Sequence, residues 1–378
     1  SLVGSEMCIR DRSFAAAATA PLVFIVAMLD RGDDLPAAAV LVGTFLPYFM
    51  CAGLSVVPSM VVASLAHDLH VARAAARDYG AYRLVEQIGK GGMGEVWRAE
   101  HRALARPAAV KIVRPYTDAA ELKEALERFA REARATAQLR SAHTMSLYDY
   151  GVAQDGTAYY AMELLDGIDL DELVRRAGPL PPARAIDLVM QVCESLAEAH
   201  AAGLVHRDMK PANVFLARLG VAVDVVKVMD FGLVALSKPV VGSAKLTNPQ
   251  AVMGTPSFMA PEQVVKADEV DARADIYALG CVAYWLLTGK QVFESEKPMQ
   301  IMIDHARTTP IAPSRRFNKP IPPALEDAVM ACLSKDPKRR PADALDLKRR
   351  LLESVPQDQR WTQEHARGWW AANVPTLI

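Results

Sequence analysis

The sequence predicts an α+β fold in two lobes, a small β-rich one and a larger helical one, preceded by two transmembrane helices. Three observations carry that expectation. Uncharged apolar runs fill much of the stretch before residue 67, glycine-punctuated strand alternation begins at Tyr82, and helical spacing dominates beyond residue 166. At 378 residues the chain has room for two or three domains of roughly 100–200 residues each. Its 43 basic and 44 acidic residues leave a formal net charge of −1, so no global positive field draws nucleic acid, and no nucleic-acid partner is expected. Cys8, Cys51, Cys193, Cys281 and Cys332 are scattered without a CxxC pair, which predicts reduced, mostly buried thiols rather than disulfides or zinc ligands.

Residues 1–12, SLVGSEMCIRDR, fit poorly with the rest of the chain and resemble translated adapter read-through at the end of a metagenomic fragment. They are set aside from the fold as non-native, which implies a missing natural N-terminus. Within 13–66, the runs 14–29 and 37–66 are read as two transmembrane helices, since a span takes about 20 apolar residues. A signal peptide competes for the first run and a buried helical hairpin for both. Pro47 and Pro58 do not forbid spanning, because neighbouring helices can satisfy the freed backbone groups. The connection carries Asp30, Asp33 and Asp34 against Arg31, whereas Arg73 and Arg77 come after the second run. That asymmetry puts the C-terminal part on the cytoplasmic side of the inner (cytoplasmic) membrane. Residues 67–81 read as a juxtamembrane helix or a plain linker.

The small lobe is assigned to 82–165. YRLVEQIGKGGMGEVWRAEH gives a strand, a glycine turn and a second strand, and PAAVKIV gives a third, ending near Val113. Gly89, Gly91 and Gly94 form GxGxxG, which also suits a dinucleotide fold. That fold needs a helix after the glycines, whereas GEVWRAEH is β-branched and aromatic. A glycine hairpin lets backbone amides approach phosphates unobstructed. Lys111 interrupts the apolar AAVKIV, and a helix over 121–139 places Glu132 where it could face back and pair with Lys111; a lysine pointing outward is the bland alternative. Residues 158–170 read as a buried strand leaving into a connector, a natural boundary between the two lobes.

The larger lobe is assigned to 166–355. A helix over 182–202 delivers the chain to VHRDMKPANVF, whose Asp208, Lys210 and Asn213 lie between apolar flanks. Alone, that loop could be a polar surface turn. VVKVMDFGLV then places Asp230 at the end of an apolar strand, residues 237–256 are rich in Ser, Thr, Gly and Pro, and DARADIYALGCVAYWLLTG is an apolar helix with Asp275 near its start. An N-cap role is the simple reading of Asp275. KDPKRRPADALDL opens the last helical stretch, and the tail over 356–378 holds Trp361, Trp369 and Trp370, which argues for docking or for a continuation that is not present.

Phosphoryl transfer from a nucleotide needs a phosphate cradle, a cation on the phosphates, metal ligands and a carboxylate at the incoming hydroxyl. From about Tyr82 to Leu352, with IGKGGMGEVWRAEH and HRDMKPAN, the chain resembles the bacterial eukaryotic-type (Hanks-type) serine/threonine protein kinases that are membrane-linked. The resemblance implies a bilobal protein-kinase fold and these roles. Gly89, Lys90, Gly91, Gly92, Met93 and Gly94 would cover the phosphates of ATP, with Val96 and Ala109 above the adenine and Phe215 below it. Lys111 would hold the α/β-phosphates and pair with Glu132. Met162 would be the gatekeeper, the backbone of Glu163 and Leu165 would bind the adenine edge, and Asp169 would reach the ribose. Asp208 would accept the substrate proton, Lys210 would neutralise the transferring phosphate, and Asn213 and Asp230 would hold Mg2+ (or Mn2+).

On the same resemblance, Thr255 would touch the catalytic loop, Glu262 would pair with Arg340, and Asp275 would brace the loop backbone. Lys210 together with GTPSFMAPE favours Ser/Thr acceptors. Arg207 is expected as a buried cation awaiting a phosphate on the 237–256 segment, with Thr247 the first autophosphorylation site and Ser243 the second. Ala212 stands where many base-directed kinases carry Glu, so a strict Arg requirement in the substrate is not expected. The implied partners are ATP, protein substrates with Ser/Thr acceptors, the lipid membrane and, for trans-autophosphorylation, a second copy in a homodimer. Two other readings stay open at this point. One is a pseudokinase or nucleotide-binding scaffold, which would normally lack Lys111, Asp208 or Asp230; the other makes the membrane part, as sensor or transport remnant, the main function.

Overall fold

The computed structural model describes residues 78–91, 94–113, 119–153, 156–231, 256–265 and 270–373. The apolar runs 14–29 and 37–66, residues 1–12, most of the 67–81 stretch, Gly92, Met93, Ser243, Thr247 and Thr255 lie outside those residues. Among the described residues no helix is long and apolar enough to cross a membrane.

The alternation after Tyr82 builds an antiparallel sheet. Strands β1 (Asp78–Tyr79), β2 (Tyr82–Gly91), β3 (Gly94–His101), β4 (Pro107–Val113), β5 (Leu147–Val152) and β6 (Ala158–Met162) are ordered β1-β2-β3-β4-β6-β5. Gly94 has φ +140°, and a Cβ there would stand 1.9 Å from the Ile112 carbonyl oxygen, so only glycine lets β3 start this close to β4. Helix α1 (Ala119–Thr136) packs on this sheet through Phe129 and Ala133, which join Ala109, Val113, Tyr160 and Met162 in one apolar cluster. The 158–170 stretch is, as expected, a buried strand leaving into a connector. β6 stops at Met162, and Gly167–Asp169 forms a separate β7 in a second sheet. The reason is the backbone at Gly167, whose φ of +156° and close approach to Leu216 turn the chain into the larger lobe.

Beyond it come α2 (Leu170–Ala177), α3 (Pro182–Ala201), β8 (Val214–Leu219) and β9 (Ala222–Val228), the second sheet having the order β7-β8-β9. Helix α3 starts on Pro182, whose missing N–H is no loss in a first turn, and buries Ile186, Val189, Val192, Cys193 and Leu196 along one stripe. After α4 (Pro261–Val265), α5 (Arg273–Thr288) is apolar on nearly every face and is buried accordingly, closed by Gly289 in the left-handed region. Of the short helices that follow, α6 (Pro298–Arg307) meets it through His305 on the Tyr277 hydroxyl, α7 (Pro313–Phe317) and α8 (Pro323–Cys332) pack against it, and α9 (Ala344–Glu353) packs against α3. Cys193, Cys281 and Cys332 are buried free thiols; burial pushes all three above the ordinary thiol range. Asp275 lies in the first turn of α5 but does not cap it; its carboxylate faces the loop before β8. The tail forms α10 (Gln363–Asn373), which docks on β9: Gln363 bonds both the N–H and the C=O of Val223.

Candidate active site

The loop between α3 and β8 is held from below by one buried carboxylate. Asp275, 1% exposed, accepts from the backbone N–H of His206 (2.8 Å) and Arg207 (2.9 Å) and contacts His200 Nε2 (2.8 Å). Such an enclosed carboxylate is stable only when donors replace its water. With Asp275 in place, the backbone turns through Arg207, whose φ is +64°, and presents Asp208 on the far side.

Asp208 is then fixed by its neighbours. Lys210 Nζ donates to its Oδ2 (2.8 Å), and Asn213 Nδ2 donates to its backbone oxygen (2.7 Å) and to Oδ2 (3.2 Å). The Asp208 N–H points at His206 Nδ1 (3.3 Å), which leaves the imidazole proton on Nε2 to be donated to the Met229 carbonyl (2.8 Å). The Met229 N–H in turn donates to the Asn213 carbonyl (2.9 Å). Two segments that the sequence separates, the loop and the end of β9, are thereby stitched together beside Asp230.

Asp230, also in the left-handed region (φ +58°), accepts from Lys111 Nζ on Oδ2 and from the Tyr160 hydroxyl on Oδ1. Burial on its own would raise its pKa, but Lys111 and the Tyr160 hydrogen bond hold the carboxyl below its ordinary range. Burial first, and the Asp230 charge second, push the Tyr160 phenol well above its ordinary value, so it stays a proton donor. The expected Lys111–Glu132 ion pair is not among those of the described residues. Here the Lys111 ammonium goes to Asp230, whose other oxygen is held by a buried hydroxyl.

The strand register sets the walls of the cleft. Ala109 lies opposite Met162, Lys111 opposite both Val96 and Tyr160, Gly89 opposite Val96, and Gly91 opposite Gly94. Lys90 is exposed, 4.0 Å from Glu95. Across the connector, Glu163 takes the Ser146 N–H (2.7 Å) and Lys227 Nζ (2.8 Å) on its side chain, and Leu165 is half-buried. Asp169 caps α2 by accepting from the Glu172 N–H (2.8 Å); burial raises its pKa despite that bond. It sits opposite half-buried Phe215 in the β7–β8 pair.

Lower down, Arg340 grips Glu262 with both terminal nitrogens (2.6 and 2.7 Å). Arg207 is exposed rather than buried. Its backbone, not its guanidinium, is what the fold uses, with Asp275 on its N–H and Gln263 Nε2 on its carbonyl (2.9 Å). Two participants are not evident from the sequence motifs. Lys227 was detectable, as a lone charge in the apolar VVKVM; Tyr160, one of two tyrosines in AYYAM, carried no signal of its own.

Residues 82–352 match the family described as protein kinase domain. The chain is 36% identical over 286 residues to the serine/threonine-protein kinase pkn3 of Myxococcus xanthus, covering 73% of this chain and 52% of that protein. It is 38% identical over 274 residues to the serine/threonine-protein kinase PknB of Mycobacterium leprae, covering 72% of this chain and 42% of that one. The chain thus spans about half or less of the length of these curated relatives. Among solved structures, Rad53 1-466 in complex with AMP-PNP has a TM-score of 0.57 and 23% identity over 71% of this chain and 64% of that chain, a likeness of fold.

Proposed function

The chain belongs to the protein kinase domain family, and on that premise we propose that it is a serine/threonine protein kinase of the bacterial Hanks type, transferring the γ-phosphate of ATP to Ser or Thr hydroxyls of proteins. The observation that supports this reading is the hydrogen bonding of Lys210 and Asn213 to Asp208, together with the Met229 N–H on the Asn213 carbonyl, which brings the loop beside the segment that carries Asp230. Asp208 orients the incoming hydroxyl and takes its proton. Lys210, on the same carboxylate, offsets charge on the group in flight.

Asn213 and Asp230 suit Mg2+ or Mn2+. Asn213 directs its amide nitrogen to Asp208, which leaves the amide oxygen as a ligand, and Asp230 offers a carboxylate. Among the described residues no group of three or more His, Cys, Asp or Glu could hold a metal. A cation resting on one carboxylate, one amide oxygen and nucleotide phosphates is what magnesium accepts. When bound, it would neutralise phosphate charge. For that to happen Lys111 must release Asp230 and turn to the phosphates or to Glu132.

The tether belongs to the same reading. Residues 14–29 and 37–66 span the inner (cytoplasmic) membrane, the kinase domain lies in the cytoplasm, and copies meet as a homodimer to phosphorylate Thr247, or secondarily Ser243, in trans. Hydropathy and the charge asymmetry of the flanks support the tether. The test uses the full chain in detergent with ATP and Mg2+ beside Asp208→Asn, with phosphosites mapped by mass spectrometry. Phosphate should appear in the parent and fall by about 10²-fold or more in the variant; equal labelling in both, or none in either, removes the kinase reading. Thr247→Ala should lower activity, and recovery of the chain in the soluble fraction would remove the tether.

A further inference from the structure

Tyr160 sits inside the N-lobe cluster, 1% exposed, its ring 6.2 Å from that of Phe129 and its neighbours Ala109, Val113 and Met162 all apolar. In such surroundings a phenylalanine would fill the space as well, and only the hydroxyl distinguishes the two. Among the described residues that hydroxyl has one partner, Asp230 Oδ1. The other oxygen, Oδ2, is held by Lys111, directly across the β4–β6 pair from Tyr160. The two donors differ in kind. Tyr160 is a neutral group on a ring wedged between α1 and the sheet, whereas Lys111 reaches Asp230 through a flexible stem and can be drawn off by another anion.

We propose that Tyr160 is a positioning residue that keeps Oδ1 of Asp230 tied to the N-lobe, so that Oδ2 alone exchanges Lys111 for a divalent cation. This rests on the kinase reading above. While Lys111 is engaged elsewhere, the carboxylate would otherwise lose both anchors at once and have to be oriented again by the metal. The hydroxyl bridges that interval. It also ties the metal-holding residue to β6, the strand that runs into the Met162–Glu163 connector, so that cleft wall and metal ligand move as one.

The test is calorimetric and does not depend on turnover. ADP is titrated into the full chain in detergent, in EDTA and at stepped Mg2+, for the parent and for Tyr160→Phe. The variant should bind ADP in EDTA within about twofold of the parent, while the Mg2+ concentration giving half of the metal-induced gain in ADP affinity rises roughly tenfold to a hundredfold, the size of one hydrogen bond to a charged group. Phe129→Leu loosens the ring's packing but keeps the hydroxyl, and should leave that Mg2+ half-point in place. An unmoved half-point in Tyr160→Phe, a lowered one, or an equal rise in Phe129→Leu overturns the proposal. If the parent shows no Mg2+-dependent ADP binding at all, the kinase reading fails instead.

Discussion

Two enclosed aspartates mark the ends of β9, Asp224 within the strand and Asp230 just past it, and they have opposite fates. Both adopt left-handed backbone, at φ +55° and +58°. Asp224 accepts four hydrogen bonds: Arg184 Nε (2.9 Å) and Nη2 (2.7 Å), Trp361 Nε1 (2.8 Å) and Trp370 Nε1 (2.5 Å). All four donors are on planar groups locked by packing; the Arg184 guanidinium is fully buried and stacks on Trp369 at 3.8 Å. Asp230 has Lys111 and Tyr160, and one of these is a flexible ammonium. Burial of a carboxylate therefore does not decide its role. On the reading proposed above, what decides is whether its donors can be exchanged for a ligand, and of the two only Asp230 has a donor on a flexible stem.

That contrast breaks first at Asp230. Asp230→Asn should lower kcat/KM for phosphoryl transfer by about 10²–10³-fold, a loss of charge where charge must be held, with little change in melting temperature. Asp224→Asn should do the reverse. It leaves the buried Arg184 uncompensated, so unfolding in urea should shift by about 3–5 kcal/mol while kcat/KM at low temperature stays near the parent's. Loss of activity without loss of stability in the second variant would show that the Asp224 cluster reaches the chemistry.

Next in size is the tail. The protein kinase match ends at residue 352, yet α10 supplies Trp370, 146 residues along the chain from Asp224. Trp370→Phe keeps most of the ring and removes one donor to a charged acceptor, so it should cost about 1.5–3 kcal/mol in equilibrium unfolding. Combined with Trp361→Phe the costs should not add, since both indoles serve one carboxylate. Strict additivity would mean the two tryptophans act through packing alone.

The two aspartates were not equally legible in the sequence. Asp230 stands out at the close of an apolar run, before Phe231 and Gly232, and its neighbours in chemistry lie in segments with their own patterns. Asp224 in AVDVVKV reads as an ordinary outward strand residue, because alternation reports a face of a sheet and nothing about what covers that face. Its partners lie 40, 137 and 146 residues away, and the left-handed turn of a non-glycine residue leaves no mark in the sequence. The same limit hid Tyr160, 70 residues from Asp230. It also misplaced the Lys111 pair, since two acids compete for that ammonium and spacing cannot rank them. The tryptophans of the tail correctly signalled docking, but not the surface they dock on. β5 went unread because LYDYGV lacks the strict alternation of its neighbours.

The smallest effect tests what a second buried carboxyl beside the Asp224 cluster costs the fold. Asp187 lies on α3 beside the same cluster, with Gln191 Nε2 on its Oδ2 (2.9 Å). Burial pushes its carboxyl up to about 6, the Gln191 bond opposing and the Asp224 charge adding to the rise. A carboxyl whose folded pKa exceeds its unfolded value holds more protons in the folded state, so stability is complete below about pH 4 and is lost as pH rises through 6. Asp187→Asn removes that loss and can keep the Gln191 contact. The variant should match the parent near pH 4 and exceed it by about 1 kcal/mol at pH 7.5, an amount reduced by the residue's partial exposure. Denaturation curves from pH 4 to 8 check this, and a gain independent of pH would show that Asp187 acts by shape and not by charge.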